Sequence, residues 1–126
     1  MIHEEIVTYE VAKLAKEKWF REKCIEHYYD DTKDLYRSSN PQCYNFGGNT
    51  SDAPTQALLQ RWLREKQALH IQITLWEKGW YYDIWPFEYY EEEKEYSAKM
   101  LRQSPDFPTY ELALEDGLKY ALENLI

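Results

Sequence analysis

The sequence predicts an α+β domain: a small antiparallel sheet, made of a central hairpin plus one or two short strands, with two to three helices packed on one face. Three observations carry this. Residues His70–Trp85 alternate in hydropathy on either side of a Glu77-Lys78-Gly79 turn. Three other stretches repeat apolar residues at helical spacing and open on capping residues. The 126 residues are 44% hydrophobic and 17% aromatic, which is one domain's length with material for a core. Each ring can bury on the order of 150–250 Å², so a short chain rich in Tyr and Trp still makes a substantial interior.

The first helix is predicted over Val7–Lys18. Thr8 is its cap and Glu10 its first-turn acid. Val11, Leu14, Ala15 and Trp19 form its apolar stripe. Cys24–Tyr29 reads as a short strand, with Ile25, His27 and Tyr29 on one face. Residues 30–53 hold SSNPQ and NFGGNTSD and few aliphatics, so they read as a long irregular loop within the single domain 1–126. The strongest helix runs over Pro54–Ala68, with Asp52 as cap, Pro54 in the first turn and a stripe of Leu58, Leu59, Trp62 and Leu63.

The hairpin follows. Ile71, Ile73, Leu75, Trp80, Tyr82 and Ile84 are assigned to its inner face, and Gln72, Thr74, Trp76, Tyr81, Asp83 and Trp85 to its outer face. Pro86 ends the ladder or marks an edge. Phe87–Tyr90 is expected to add a third strand, followed by a helical turn or two through Met100 and a connector over Ser104–Pro108. Thr109 caps the closing helix, Thr109–Leu125, whose apolar face is Leu114, Leu118, Ala121, Leu122 and Leu125. Gly117 lies inside this helix at a cost of about 1 kcal/mol against Ala, which implies close approach to a neighbour.

Composition excludes several classes. The net charge of −8 opposes nucleic acid and anionic membrane, since phosphate contacts come from Lys and Arg. No apolar run approaches the roughly 20 residues of a membrane span. The start MIHEEIVTYE lacks the basic and apolar run of an export signal. The two cysteines, Cys24 and Cys43, are not the framework of a secreted domain. Both therefore read as reduced thiols, and the expected location is cytoplasmic.

The strings APTQALLQRWLRE (53–65), HIQI (70–73), YELALEDGL (110–118) and VAKLAKEK (11–18) resemble an uncharacterised family of small acidic proteins from gut anaerobes of the Bacteroides type and their phages or mobile elements. That family has no assigned activity, so the resemblance implies no functional residue. The element order in Pro54–Ile126 is also similar to that of a double-stranded-RNA-binding domain. Glu111, Glu115 and Asp116 stand near where such a domain places lysines, so RNA binding is not expected.

Individual candidates are weak as chemistry. His70 reads as a surface histidine, Asp83 as solvated, and Glu91–Glu95 as a solvated charge run. Cys24, His27 and Cys43 fall short of the four ligands at recognisable spacing that zinc needs. Phe46-Gly47-Gly48-Asn49 is too short for a phosphate loop and reads as a turn. No catalytic residue, metal or cofactor is expected. The aromatic outer face carries the functional reading: Trp76, Tyr81 and Trp85, with Gln72 and Thr74, form either an exposed platform or a surface covered by residues 30–53 or 87–103. Exposed, it makes the protein a non-enzymatic interaction module with an acidic rim, binding a protein partner or a second copy of itself. The alternatives are an acidic charge mimic that occupies a basic site on a nucleic-acid-handling protein, and an enzyme joining His70, Asp83 and a third polar group.

Overall fold

The computed structural model describes residues 1–86, 89–90, 95–96 and 99–126. Among these, three helices and two three-stranded antiparallel sheets confirm the α+β class. Helix α1 (Tyr9–Glu17) is capped by Thr8, whose Oγ1 accepts the Val11 N–H at 3.3 Å, and it buries Val11, Ala12 and Ala15. Trp19, assigned above to that apolar stripe, is instead 75% exposed. It takes a positive φ of 69° just past the helix end, the position where glycine is usual. This reversal lets the Phe20 N–H bond the Ala15 carbonyl at 3.0 Å, and Phe20 enters the core in Trp19's place.

Strand β1 (Cys24–Tyr29) is the centre of the first sheet, between β2 (Leu35–Gln42) and β3 (Thr50–Ala53), in the order β2-β1-β3. The irregular loop expected over residues 30–53 is thus corrected to two strands and their connections. Its polar composition has two sources. β2 is an outer strand whose side chains are largely exposed, and Pro41 is tolerated there because an edge can do without an N–H. β3 buries Ser51 and Asp52 by hydrogen-bonding them rather than by being apolar.

Helix α2 (Gln56–Lys66) is capped by Thr55, whose Oγ1 accepts the Leu58 N–H at 3.1 Å. The expected cap, Asp52, belongs to β3. α2 buries Leu59, Trp62 and Leu63, with Leu58 half-buried. Strands β4 (Leu69–Trp76) and β5 (Gly79–Pro86) form the hairpin, with Trp76 paired to Gly79. Gly79 has φ of 127°, and a Cβ there would stand 2.6 Å from the Phe107 carbonyl oxygen, so both backbone shape and space require glycine.

The short pair β6 (Tyr89–Tyr90) and β7 (Glu95–Tyr96) forms a ribbon of its own. Of the third strand expected at Phe87–Tyr90, Tyr89–Tyr90 therefore pairs outside the hairpin sheet, and Phe87 and Glu88 lie outside the described residues. That place is taken by β8 (Arg102–Gln103), which pairs with Ile84 and Asp83 of β5. Glu95–Tyr96 is extended where a helical turn was expected; the rest of that turn falls largely on residues outside those described.

Helix α3 (Tyr110–Asn124) starts at the expected cap, Thr109, which accepts the Leu112 N–H at 3.1 Å. It packs on β4 and β5 and also meets α1 and α2, while α1 reaches β3 and α2 reaches β4. The core therefore lies between the helices and both sheets. The hairpin register pairs Ile71 with Ile84, Ile73 with Tyr82 and Leu75 with Trp80 on the inner face. Ile71, Tyr82 and Ile84 are fully buried, and Ile73 and Trp80 are half-buried. Leu75 is 60% exposed, because the hairpin tip projects past the helices.

Gly117 seats α3 on this inner face. A Cβ there would lie 3.0 Å from Ile71 Cγ2 and 3.3 Å from the Tyr82 ring. On a free helix, Gly117→Ala would stabilise by about 1 kcal/mol. Here overpacking costs roughly 1–3 kcal/mol. We expect the variant to be less stable than wild type in urea unfolding; a gain in stability would show that the contact yields freely.

Candidate functional site

Alternation along β4 and β5 sets His70 opposite Trp85, Gln72 opposite Asp83 and Thr74 opposite Tyr81 on the outer face. The five candidate residues do share that face, but the sheet separates them. Tyr81 and Trp85 are four residues apart, about 13 Å along an extended strand. Trp76 and Tyr81 meet at the tip, Trp85 stands at the base beside His70, and Thr74 and Gln72 lie between.

At the tip, Trp76 is 42% exposed, and its ring meets that of Tyr81 edge-on, with centroids 6.4 Å apart and planes at 89°. The indole Nε1–H donates to Asp106 Oδ1 at 2.6 Å, which fixes the ring's orientation. The two rings form one side of a 390 Å³ cleft completed by Gln103, Ser104, Pro105 and Asp106. Lys78, in the hairpin turn, places its ammonium 5.7 Å from the Trp76 ring centroid. The far wall was read above only as a connector. Its position comes from the pairing of β8 with β5, which a strand only two residues long does not advertise.

The base of the same face is enclosed. His70 Nδ1, Asp83 Oδ1 and Trp85 Nε1 are inaccessible and have no hydrogen-bond partner among the described residues. Burial raises the Asp83 pKa, opposed by a hydrogen bond from Gln103. Burial lowers that of His70, with the Arg64 charge adding to the effect. Asp83 was expected to be solvated, and its carboxyl is partly withdrawn from water instead.

A second polar centre lies in the first sheet. His27 and Asp52 are directly opposite on β1 and β3, both fully buried, with His27 Nδ1 2.8 Å from Asp52 Oδ1. His27 Nε2 is 3.0 Å from Ser38 Oγ on β2. Asp52 Oδ2 accepts the Tyr44 N–H at 2.8 Å, and the Asp52 N–H donates to Asn45 Oδ1 at 2.9 Å. The rings of Tyr36 and Tyr44 flank the imidazole at 5.2 and 4.7 Å. Hydroxyl, imidazole and carboxylate stand in the order used for acyl transfer. Here the Ser38 hydroxyl donates to the Asn40 carbonyl within β2 at 2.7 Å, so the chain ties three strands together, and Asp52 adds the connection after β2 through Tyr44 and Asn45. Spacing alone did not reveal it, because the three residues come from three strands, two of which were read as loop.

Cys24 and Cys43 are free thiols, and among the described residues no three His, Cys, Asp or Glu side chains gather as a metal site. Among them, too, no helix is long and apolar enough to cross a membrane.

Two outcomes follow. Asp52→Ala leaves His27 buried without its partner and orphans the Tyr44 N–H; we expect a loss of about 3–5 kcal/mol in urea unfolding, and a loss below about 1 kcal/mol would contradict the pairing. Alkaline pH should also destabilise the fold. Burial, aided by the Asp52 charge, pushes the Cys24 thiol from 9.0 up to about 12. Burial, with Asp116 adding and Arg102 opposing, pushes the Tyr82 phenol from 10.0 up to about 12. The unfolded chain releases these protons first, so their contribution is complete below pH 9 and declines as pH rises toward 12. Unfolding midpoints measured across that range should fall steadily, and less so in Cys24→Ala.

No family model matches the chain, and no curated protein or solved structure is significantly similar to it.

Proposed function

We propose that the protein is an interaction module whose role is binding, with the tip of the β4–β5 hairpin as its contact surface. The observation that carries this is the right-angled Trp76–Tyr81 corner opening on a 390 Å³ cleft with a polar far wall. Exposed Trp and Tyr are the residues that most often anchor partners, because they offer large rigid area at small entropic cost. Asp106 and Glu77 supply an acidic rim. The occupant is a protein partner or a second copy of the chain.

The earlier assignment of Trp85 to the contact surface is narrowed to Trp76 and Tyr81, since Trp85 is half-buried and its ring N–H is inaccessible. Trp76 contributes little to the core, so its truncation leaves the helices seated. The double variant Trp76→Ala/Tyr81→Ala should keep its circular-dichroism spectrum and lose partner capture, or dimerisation in sedimentation equilibrium, by at least about tenfold. Undiminished association in the double variant refutes the proposal. Association that survives ring truncation but falls steeply with salt would point to the charge-mimic reading.

A further inference from the structure

The Trp76–Tyr81 cleft has features that select for charge as well as shape. The faces of both rings are electron-rich and attract cations. Asp106 holds the Trp76 indole with Oδ1, and the hydrogen bonds described leave Oδ2 for another donor. An aliphatic group entering the cleft would strip water from that carboxylate and return nothing. An anionic group would meet Asp106 within a chain of net charge −8. A cation satisfies the rings and the carboxylate together.

The molecule itself supplies three precedents. Lys78 extends its ammonium to 5.7 Å from the Trp76 centroid, so a cation already lies over this ring. Elsewhere on the surface, Arg21 sits between the exposed rings of Trp19 and Phe46 at 4.9 and 5.3 Å, and Arg102 lies 4.0 Å from the Tyr120 centroid. A guanidinium suits the cleft better than an ammonium, because its plane stacks on an indole while its edge donates to a carboxylate.

Resting on the interaction-module reading, we infer that the cleft binds an arginine side chain presented by a protein partner, stacked on the Trp76 ring in the corner it makes with Tyr81 and hydrogen-bonded to Asp106, and that Lys78 is its internal competitor. Binding then proceeds by exchange of one cation for another over the Trp76 ring.

The test uses the full chain labelled with ¹⁵N, with the Trp76 indole signal assigned by its disappearance in Trp76→Phe. N-acetyl-arginine methylamide is titrated against the neutral isostere N-acetyl-citrulline methylamide at matched ionic strength. The arginine compound should shift the Trp76 signal saturably, and the citrulline compound should bind at least about fivefold more weakly. Asp106→Asn keeps an oxygen for the indole and removes the charge; it should weaken arginine binding by a similar factor. Lys78→Ala should strengthen it by about two- to threefold. Equal binding of the two compounds, or no Trp76 shift in either wild type or Lys78→Ala, overturns the inference. If partner capture still requires Trp76 and Tyr81 in that case, the contact surface stands and only its anchor is wrong. If capture is indifferent to both rings, the contact surface itself falls.

Discussion

Tyr82 is the point on which the rest of the fold turns. Its ring is fully buried against Gly117, its hydroxyl donates to Asp116 Oδ2 at 2.7 Å, and Arg102 Nε donates to that same hydroxyl at 3.1 Å. Its backbone N–H donates to Ser104 Oγ and its carbonyl accepts the Ser104 N–H. One residue therefore seats the last helix, draws in the third strand and anchors the segment that follows it. Because side chains alternate along a strand, burying Tyr82 inward commits Tyr81 to the outside. The cleft's two sides, ring wall and 103–106 wall, are both consequences of where Tyr82 sits.

The parts of this architecture that show in the sequence are those where local pattern and final environment agree. Thr8 and Thr109 cap the helices that follow them, the hairpin alternates as its register requires, and Gly117 marks the close approach of α3. Disagreement arises where tertiary partners override local preference. Asp52 has the chemistry of a helix cap, yet it is held inside the first sheet by His27, the Tyr44 N–H and the Asn45 side chain. Trp19 continues an apolar period, yet the turn at the helix end throws it outward and brings Phe20 in. For Asp52 the deciding contact is with His27, 25 residues away, and for Trp19 it is the left-handed turn that ends the helix; periodicity registers neither.

The candidate site shows the same division. Trp76 and Tyr81 were legible because strand alternation puts them on one face, and the turn at Glu77-Lys78 fixes which residues meet. Trp85 was grouped with them because alternation gives a face but not a distance along it. Asp106, the acid that orients the indole, lies 30 residues downstream of Trp76 in a segment without regular structure. Its contribution depends on the pairing of β8 with β5 and on the Ser104–Tyr82 and Phe107–Trp80 hydrogen bonds on either side of it.

The outer strand β2 has an implication for the molecule in company. Any sheet edge is a row of unpaired amides, a template on which neighbouring chains can align and aggregate. Here that border carries Arg37, Ser39, Asn40 and Pro41, which supply charge, hydration and a missing donor. The composition that disguises β2 as loop thus works as insulation: it discourages indiscriminate strand-to-strand adhesion and leaves recognition to side chains.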